Sequence, residues 1–281
     1  MKCFINKPIS VINFAKSNQL LLSYYTIMAH LQKLLPIGHQ FIELEQVTST
    51  NTYAMQQIQA KMAQHGIVYF AYEQTMGRGQ HGKKWLTEPK ANIILSAIVN
   101  TSSLGITNQF YLSAVTALAV FDLLNFYLPN QISIKWPNDV YINDSKAAGI
   151  LVENTIQGNQ WPWAVLGIGI NVNQTSFNTT LNNATSIATY TQKNYNTIDL
   201  AKQLCTFLTH YFEQLFKGNT VQLLQLYNEH LYKRNQQVKL KKDNIAFTCT
   251  IQKVEATGKL HVLNGLQDEF NFGEVEWLLN K

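Results

Sequence analysis

One stretch constrains this chain before any motif is read. Tyr111–Leu128 is almost wholly apolar, yet Asp122 and Asn125 interrupt it. Crossing a bilayer takes about 20 predominantly apolar residues, so the stretch predicts a buried helix, Thr107–Leu128, halted by Pro129. A helix that is apolar all round is a buried one, packed against other elements. The 281 residues suffice for one large core and a small second domain. With 46% apolar and 14% charged residues, the composition is that of a globular protein and not of a disordered one.

The rest of the pattern supplies those partners. Ser49 or Thr50 is placed to cap a helix that shows Met55, Ile58 and Met62 on one face and ends at Gly66. Strands are predicted at Ile67–Tyr72, Asn92–Val99, Ile132–Trp136, Lys146–Asn154 and Trp161–Gly169, the last two joined by a Gly158-Asn159 turn. Residues 172–196 lack a period and predict a loop. Two helices follow, Ile198–Phe216 and Thr220–Tyr232. Beyond Arg234 the pattern turns to short strands, Gln237–Leu240, Ala246–Val254, Lys259–Leu263 and Asp268–Phe272, which predict a small β-barrel. A mixed, mostly antiparallel sheet flanked by helices is the expected core, an α+β fold.

Several function classes are disfavoured. Cys3, Cys205 and Cys249 lie far apart and form no CxxC pair, so neither a disulfide framework nor a zinc knuckle is indicated, and a reducing cytoplasm is the simplest location. The N-terminal apolar patch is broken by Asn6, Pro8 and Asn13, unlike a signal peptide. Lys and Arg outnumber Asp and Glu by 22 to 17, a surplus that fits a nucleotide, an acidic partner or solubility alone.

Four segments carry chemical meaning. Gly77-Arg78-Gly79-Gln80-His81-Gly82-Lys83-Lys84-Trp85 is a glycine-spaced cationic loop. Its glycines let backbone N–H groups approach an anion, although an RNA-binding tail or an ordinary solvated loop has the same makeup. Lys135-Trp136-Pro137-Asn138-Asp139 leaves a strand at Pro137 and presents a carboxylate suited to Mg²⁺ near phosphate; a plain turn has the same residues. Lys146 opens the apolar run Ala147–Val152 and needs a partner, either an anionic ligand or an ion pair with Glu153 or Asp144. Gly167-Ile168-Gly169-Ile170-Asn171 admits close approach by a ligand or by another backbone.

Taken in order, Ser49-Thr50-Asn51, Gln74 with the Gly77–Trp85 loop, Lys135–Asp139, Lys146–Glu153 and Gly167–Asn171 resemble the signature series of biotin protein ligases, the biotin–[acetyl-CoA-carboxylase] ligases. The resemblance spans residues 41 to about 173 and continues more loosely through the helices to Gly273-Glu274-Val275. It implies a catalytic domain over 41–233, of the class shared with lipoate ligases, and an SH3-like barrel over 234–281, after a poorly defined extension at 1–40. Only that extension precedes the ligase region and no helix-turn-helix pattern is visible, so the type without a DNA-binding domain is expected. Residues 1–27, ahead of Met28, match nothing in the family and are expected to be dispensable or not translated at all.

The implied reaction consumes ATP and biotin with Mg²⁺. The biotin carboxylate attacks the α-phosphate to give biotinyl-AMP, and a lysine of a biotin carboxyl carrier domain then attacks the mixed anhydride. By the same resemblance Ser49, Thr50, Asn51 and Gln74 hydrogen-bond the biotin ureido ring, while Arg78, Gly79 and Gln80 close over biotin and the phosphate. Lys146 reaches carboxylate and phosphate, and with Arg78 and Asp139 makes the catalytic set. Asn138 and Asp139 stand near Mg²⁺ and the incoming amine, with metal ligand and base both open for Asp139. Lys83, Trp85 and Asn171 join the nucleotide pocket, and Gln80 replaces an arginine common in the family. A homodimer is compatible with this reading; nucleic acid and membrane are not expected partners. Lipoate ligation, a biotin-responsive repressor and simple biotin binding are the competing functions.

Overall fold

Strand alternation decides which side chains face which layer. Seven strands, β1 (Gln40–Val47), β2 (Ile67–Gln74), β3 (Ile93–Asn100), β4 (Ile132–Lys135), β5 (Asp139–Ile142), β6 (Ser145–Gln157) and β7 (Gln160–Ile170), form one sheet in the order β1-β2-β3-β7-β6-β5-β4. Only β1 and β2 pair in parallel; every other neighbour is antiparallel. The computed structural model describes residues 35–177 and 183–278, so Cys3 and the extension around Met28 lie outside the described residues. Pro36–Lys281 gather into one compact unit.

Helix α1 (Thr50–Gln59) covers one face of the sheet beside β2, β3 and β7, where Ala54 packs with Ile67, Tyr69, Ile98 and Val165. The opposite face carries α2 (Gln109–Tyr127), with twelve buried residues, and against it α4 (Thr197–Phe216) and α5 (Thr220–Glu229). Between them α3 (Ile187–Thr191) makes one short turn. Among the described residues α2 and the turn before it are apolar and long enough to cross a membrane, but most of that stretch is buried inside the fold. The enclosure that an all-round apolar helix demands is thereby met.

A second sheet, order β11-β10-β9-β8-β12, is built from β8 (Gln237–Lys242), β9 (Ile245–Val254), β10 (Leu260–Leu263), β11 (Glu269–Phe270) and β12 (Glu276–Trp277). It is tied to the first sheet by specific contacts. Trp136 Nε1 donates to Gly258 O at 2.8 Å, and the Asn228 side chain bonds both N–H and C=O of Val254.

Several expectations are corrected. The first helix stops at Gln59, not at Gly66, because Lys61 turns to φ 60°, and Met62 is exposed instead of on the buried face. Strands β1, β5 and β12 and helix α3 were not predicted, and α5 ends at Glu229 instead of Tyr232. Cys205 and Cys249 are buried free thiols, and burial pushes them up to about 12 and about 11.

Where the chain passes from α1 to β2, His65 accepts a hydrogen bond at Nδ1 from Asn100 N, 3.1 Å away. That role requires a neutral ring. Burial, with a smaller contribution from His39, pushes His65 down to about 4. The unfolded chain therefore takes up the proton first as pH falls, so the stabilisation is complete above pH 6.5 and is lost toward pH 4. Urea denaturation at pH 7 and pH 4.5 should show the wild type losing about 2 kcal/mol more than His65→Gln. Equal losses would show that the ring does not carry this pH dependence.

Candidate active site

One face of the large sheet is left partly uncovered, and register determines what it displays. Gly167 and Gly169 follow Val165 at alternate positions of β7, so all three point to the face of α1. Their cross-strand partners, Ser96 and Ile94 on β3 and Leu151 and Gly149 on β6, share that face, as do Asp139 opposite Gly149 and Lys135 opposite Asp139. Lys146 would fall on the other face by simple alternation. The β5–β6 register shifts between Val140 and Tyr141, leaving Ala147 as an extra residue, and Lys146 then stands opposite Tyr141. A bulge re-aims a side chain in this way. Lys146 Nζ consequently lies 2.7 Å from Asp139 Oδ1.

The three glycines make a floor without side chains, and two residues occupy it. A Cβ at Gly167 would lie 2.2 Å from Asn51 Oδ1, and one at Gly169 would lie 2.4 Å from the Trp85 ring. Gly149 is similarly close to Trp85. The glycine loop thus crosses the sheet and ends with an indole lying on backbone, with the Lys146 ammonium 5.5 Å from the ring centroid. Within the loop a 3₁₀ turn, Gln80–Gly82, and the Arg78–Lys84 bridge replace the irregular run expected.

Beside the floor runs a polar cluster. Asn51 donates to Leu151 O at 3.2 Å and to Glu153 Oε2 at 2.8 Å, and Ser96 Oγ lies 2.5 Å from Asn51 Oδ1. Glu153 also holds Arg78, at 2.9 Å. Gln74 Oε1 accepts from the Thr50 N–H at 2.8 Å. Asn51 is therefore engaged within the protein. Ser49, buried at the start of α1, makes no capping bond with its hydroxyl, the use such a residue ordinarily finds.

A cavity of about 780 Å³ brings together every residue singled out from sequence: Ser49, Thr50, Asn51, Gln74, Arg78, Gly79, Gln80, Lys83, Trp85, Asn138, Asp139, Lys146 and Asn171. The ion-pair assignments differ from expectation. Lys146 pairs with Asp139, whereas Glu153 pairs with Arg78 and Asp144 with Lys233. Asn138 donates to Ile150 O at 2.8 Å and Asn171 to Thr185 O at 2.9 Å, so both also fasten the cavity wall. The Trp136–Pro137 peptide is cis at the turn from β4 to β5.

Ser96, Tyr141, Trp277 and the role of Lys135 carry no motif signal in the sequence, and all but Ser96 line the cavity. Burial first, then the nearby Lys146 and Lys83 against the opposing pull of Asp139, leave Lys135 at about 8. Burial also raises the Tyr141 hydroxyl, which keeps it protonated. The cavity's acidic residues are Asp139 and Glu276, and Glu276 pairs with Lys241 at 2.9 Å. One carboxylate joined by phosphate oxygens is a usual Mg²⁺ donor set, so Asp139 suits that ion. The described residues hold one cluster of three metal-ligating groups, Glu255, His261 and Glu269, and none of them lines this cavity.

The chain is similar to known proteins in sequence over part of its length and in fold. The biotin/lipoate A/B protein ligase family matches residues 43–171. The chain is 36% identical over 132 residues to the biotin–[acetyl-CoA-carboxylase] ligase of Mycobacterium tuberculosis, covering 46% of this chain and 48% of that protein. It is 34% identical over 135 residues to the bifunctional ligase/repressor BirA of Escherichia coli, covering 48% and 41%. The chain thus spans about half the length of the curated relatives it matches. In fold it is similar to the biotin protein ligase of Aquifex aeolicus, solved with biotin and ATP, with TM-score 0.71 and 24% identity over 85% of this chain and 98% of that one.

Gly169→Ala should displace Trp85, since the new methyl group would overlap the ring while leaving the opposite, core face of β7 unchanged. The global cost should be about 1–3 kcal/mol, as for other overpacked sites. Tryptophan emission should shift to the red, and trypsin should cut faster at Arg78, Lys83 and Lys84. Unchanged emission and cleavage would mean that the ring is not seated on Gly169.

Proposed function

We propose, from the biotin/lipoate A/B protein ligase family domain that residues 43–171 form, that this chain activates biotin with ATP and transfers it to a lysine of a biotin carboxyl carrier domain. The observation that carries the reading is the juxtaposition of the Lys146–Asp139 pair with the glycine floor and the Trp85 lid in one cavity. The domain structure at 41–233 and 234–281 is part of the same proposal.

Activation joins a carboxylate to the α-phosphate and expels diphosphate, so two anions meet before the bond forms. Lys146 is placed to draw both together, held by Asp139 on one side and Trp85 on the other. Arg78, fixed by Glu153, brings a second cation with the loop. Charge-assisted contacts of this kind do most at the transition state, where negative charge is concentrated. The Ser49 hydroxyl, Thr50 and Gln74 line the end of the cavity beside α1, where a cyclic urea needs both donors and acceptors. Asn51 serves by holding Glu153, and through it Arg78.

Transfer requires a neutral amine, and a free lysine has a pKa of about 10.4. Asp139 is the carboxylate positioned to orient that amine and help remove its proton. Mg²⁺ bound at Asp139 would offset phosphate charge. Trp85 seated on Gly149 and Gly169 forms an apolar part of the cavity, and keeping water from the mixed anhydride there would protect it from hydrolysis.

Protein, ATP, Mg²⁺ and biotin mixed with a carrier domain should yield covalently biotinylated carrier, and lipoate in parallel should not be attached. Attachment of lipoate instead would assign the cavity to the other branch of the family. Lys146→Ala should lower biotinyl-AMP formation about 10²-fold or more, as loss of a comparable transition-state contact does. Near-normal adenylation by the folded variant contradicts that role. Asp139→Asn should reduce Mg²⁺-dependent turnover more than biotin affinity, and equal damage to both would make Asp139 merely structural.

A further inference from the structure

Lys135 is a cavity cation with no part in the activation and transfer steps above. It sits on β4, in register with Asp139 on β5, which in turn lies opposite Gly149 on β6. Neighbouring strands are about 4.8 Å apart, so Lys135 and the Lys146 strand flank Asp139 in a row running across the sheet. Lys146 has a carboxylate partner. The Lys135 ammonium makes no ion pair or hydrogen bond among the described residues, although the Asp139 charge attracts it; it stands 5.3 Å from the Tyr141 ring and 5.1 Å from the Trp277 ring. Aromatic faces attract a cation without occupying its N–H donors, so all three remain available.

Trp277 comes from β12, the last strand of the second sheet, and that strand is well secured. Trp277 pairs with Leu240 on β8, its ring lies 5.7 Å from that of Tyr232, and Leu278 N donates to Lys239 O at 2.9 Å. Glu276, the nearest acidic neighbour along the strand, is paired with Lys241. Asp144, near Tyr232, is held by Lys233 and by the Tyr232 hydroxyl. Neither carboxylate is left to neutralise Lys135.

We infer that Lys135 binds the diphosphate end of the nucleotide, and that Trp277 is a positioning residue through which the second sheet completes this subsite. Lys146 then meets the phosphate at which the carboxylate attacks, and Lys135 meets the group that leaves, with Asp139 between them. The inference rests on reading the cavity as an ATP site.

Calorimetric titration of the full chain with inorganic pyrophosphate, with AMP and with biotin separates the two. Wild type should bind all three. Lys135→Met should weaken pyrophosphate by about tenfold or more, the scale of one lost charged contact, and leave AMP and biotin unchanged. Lys135→Arg should recover most of the affinity. Trp277→Ala should weaken pyrophosphate several-fold and raise KM for ATP with kcat largely retained. Unaltered pyrophosphate binding by Lys135→Met, or equal loss of pyrophosphate, AMP and biotin, overturns the inference. Wild type that binds biotin and AMP but not pyrophosphate overturns it while sparing the ligase reading; wild type that binds none of them overturns both.

Discussion

Everything at this site depends on bare backbone at Gly149, Gly167 and Gly169. A sheet face normally bristles with side chains at every second residue, and any of them here would collide with Asn51 or Trp85. Removing three side chains in adjacent positions costs packing and β propensity. In return α1 approaches closely enough for Asn51 to reach Glu153, and the glycine loop can lay its indole on the sheet. The cavity is therefore a property of β6 and β7 first and of the loops second.

The charges are arranged by the same strands. One extra residue at Ala147 turns Lys146 onto the cavity face and against Asp139. A partly buried pair of this kind contributes little net stability, because desolvation offsets most of the attraction. Its value is positional: each group holds the other in place in a cavity that also contains Lys135 and Lys83. The Arg78–Glu153–Asn51 chain acts similarly, joining the mobile-looking composition of a glycine loop to a fixed helix start. Site and fold are in this sense the same set of contacts.

Much of this was legible in the sequence where a local signal existed. The apolar run of α2, the β6–β7 hairpin at Gly158-Asn159 and the amphipathic α4 each carry their own period. Strand β1 was missed because only Phe41, Ile42, Leu44 and Val47 interrupt its polar residues, and its pairing with β2 is a parallel, non-local contact. Strand β5, four residues long, follows so closely on Pro137 that it looks like part of a turn. The residues expected at the site came from the resemblance of the motif series to biotin protein ligases, and one cavity gathers them, but their partners were not foreseen. Whether Lys146 would meet Asp139, Asp144 or Glu153 depends on a one-residue register shift that no periodicity reveals. Trp277 was invisible as a cavity residue because it arrives from 142 positions beyond Lys135 in the chain, on a two-residue strand.

The central claim is that the floor, the polar cluster at the start of α1 and the Lys146–Asp139 pair together make a site for biotin. Direct titration of the wild-type protein with biotin and with lipoate, each with and without a non-hydrolysable ATP analogue, tests it without requiring a carrier. A biotin site should show saturable one-to-one binding of biotin, tightened by the nucleotide, and no comparable binding of lipoate. Equal affinity for the two acids, or no binding of biotin in either condition, would contradict it.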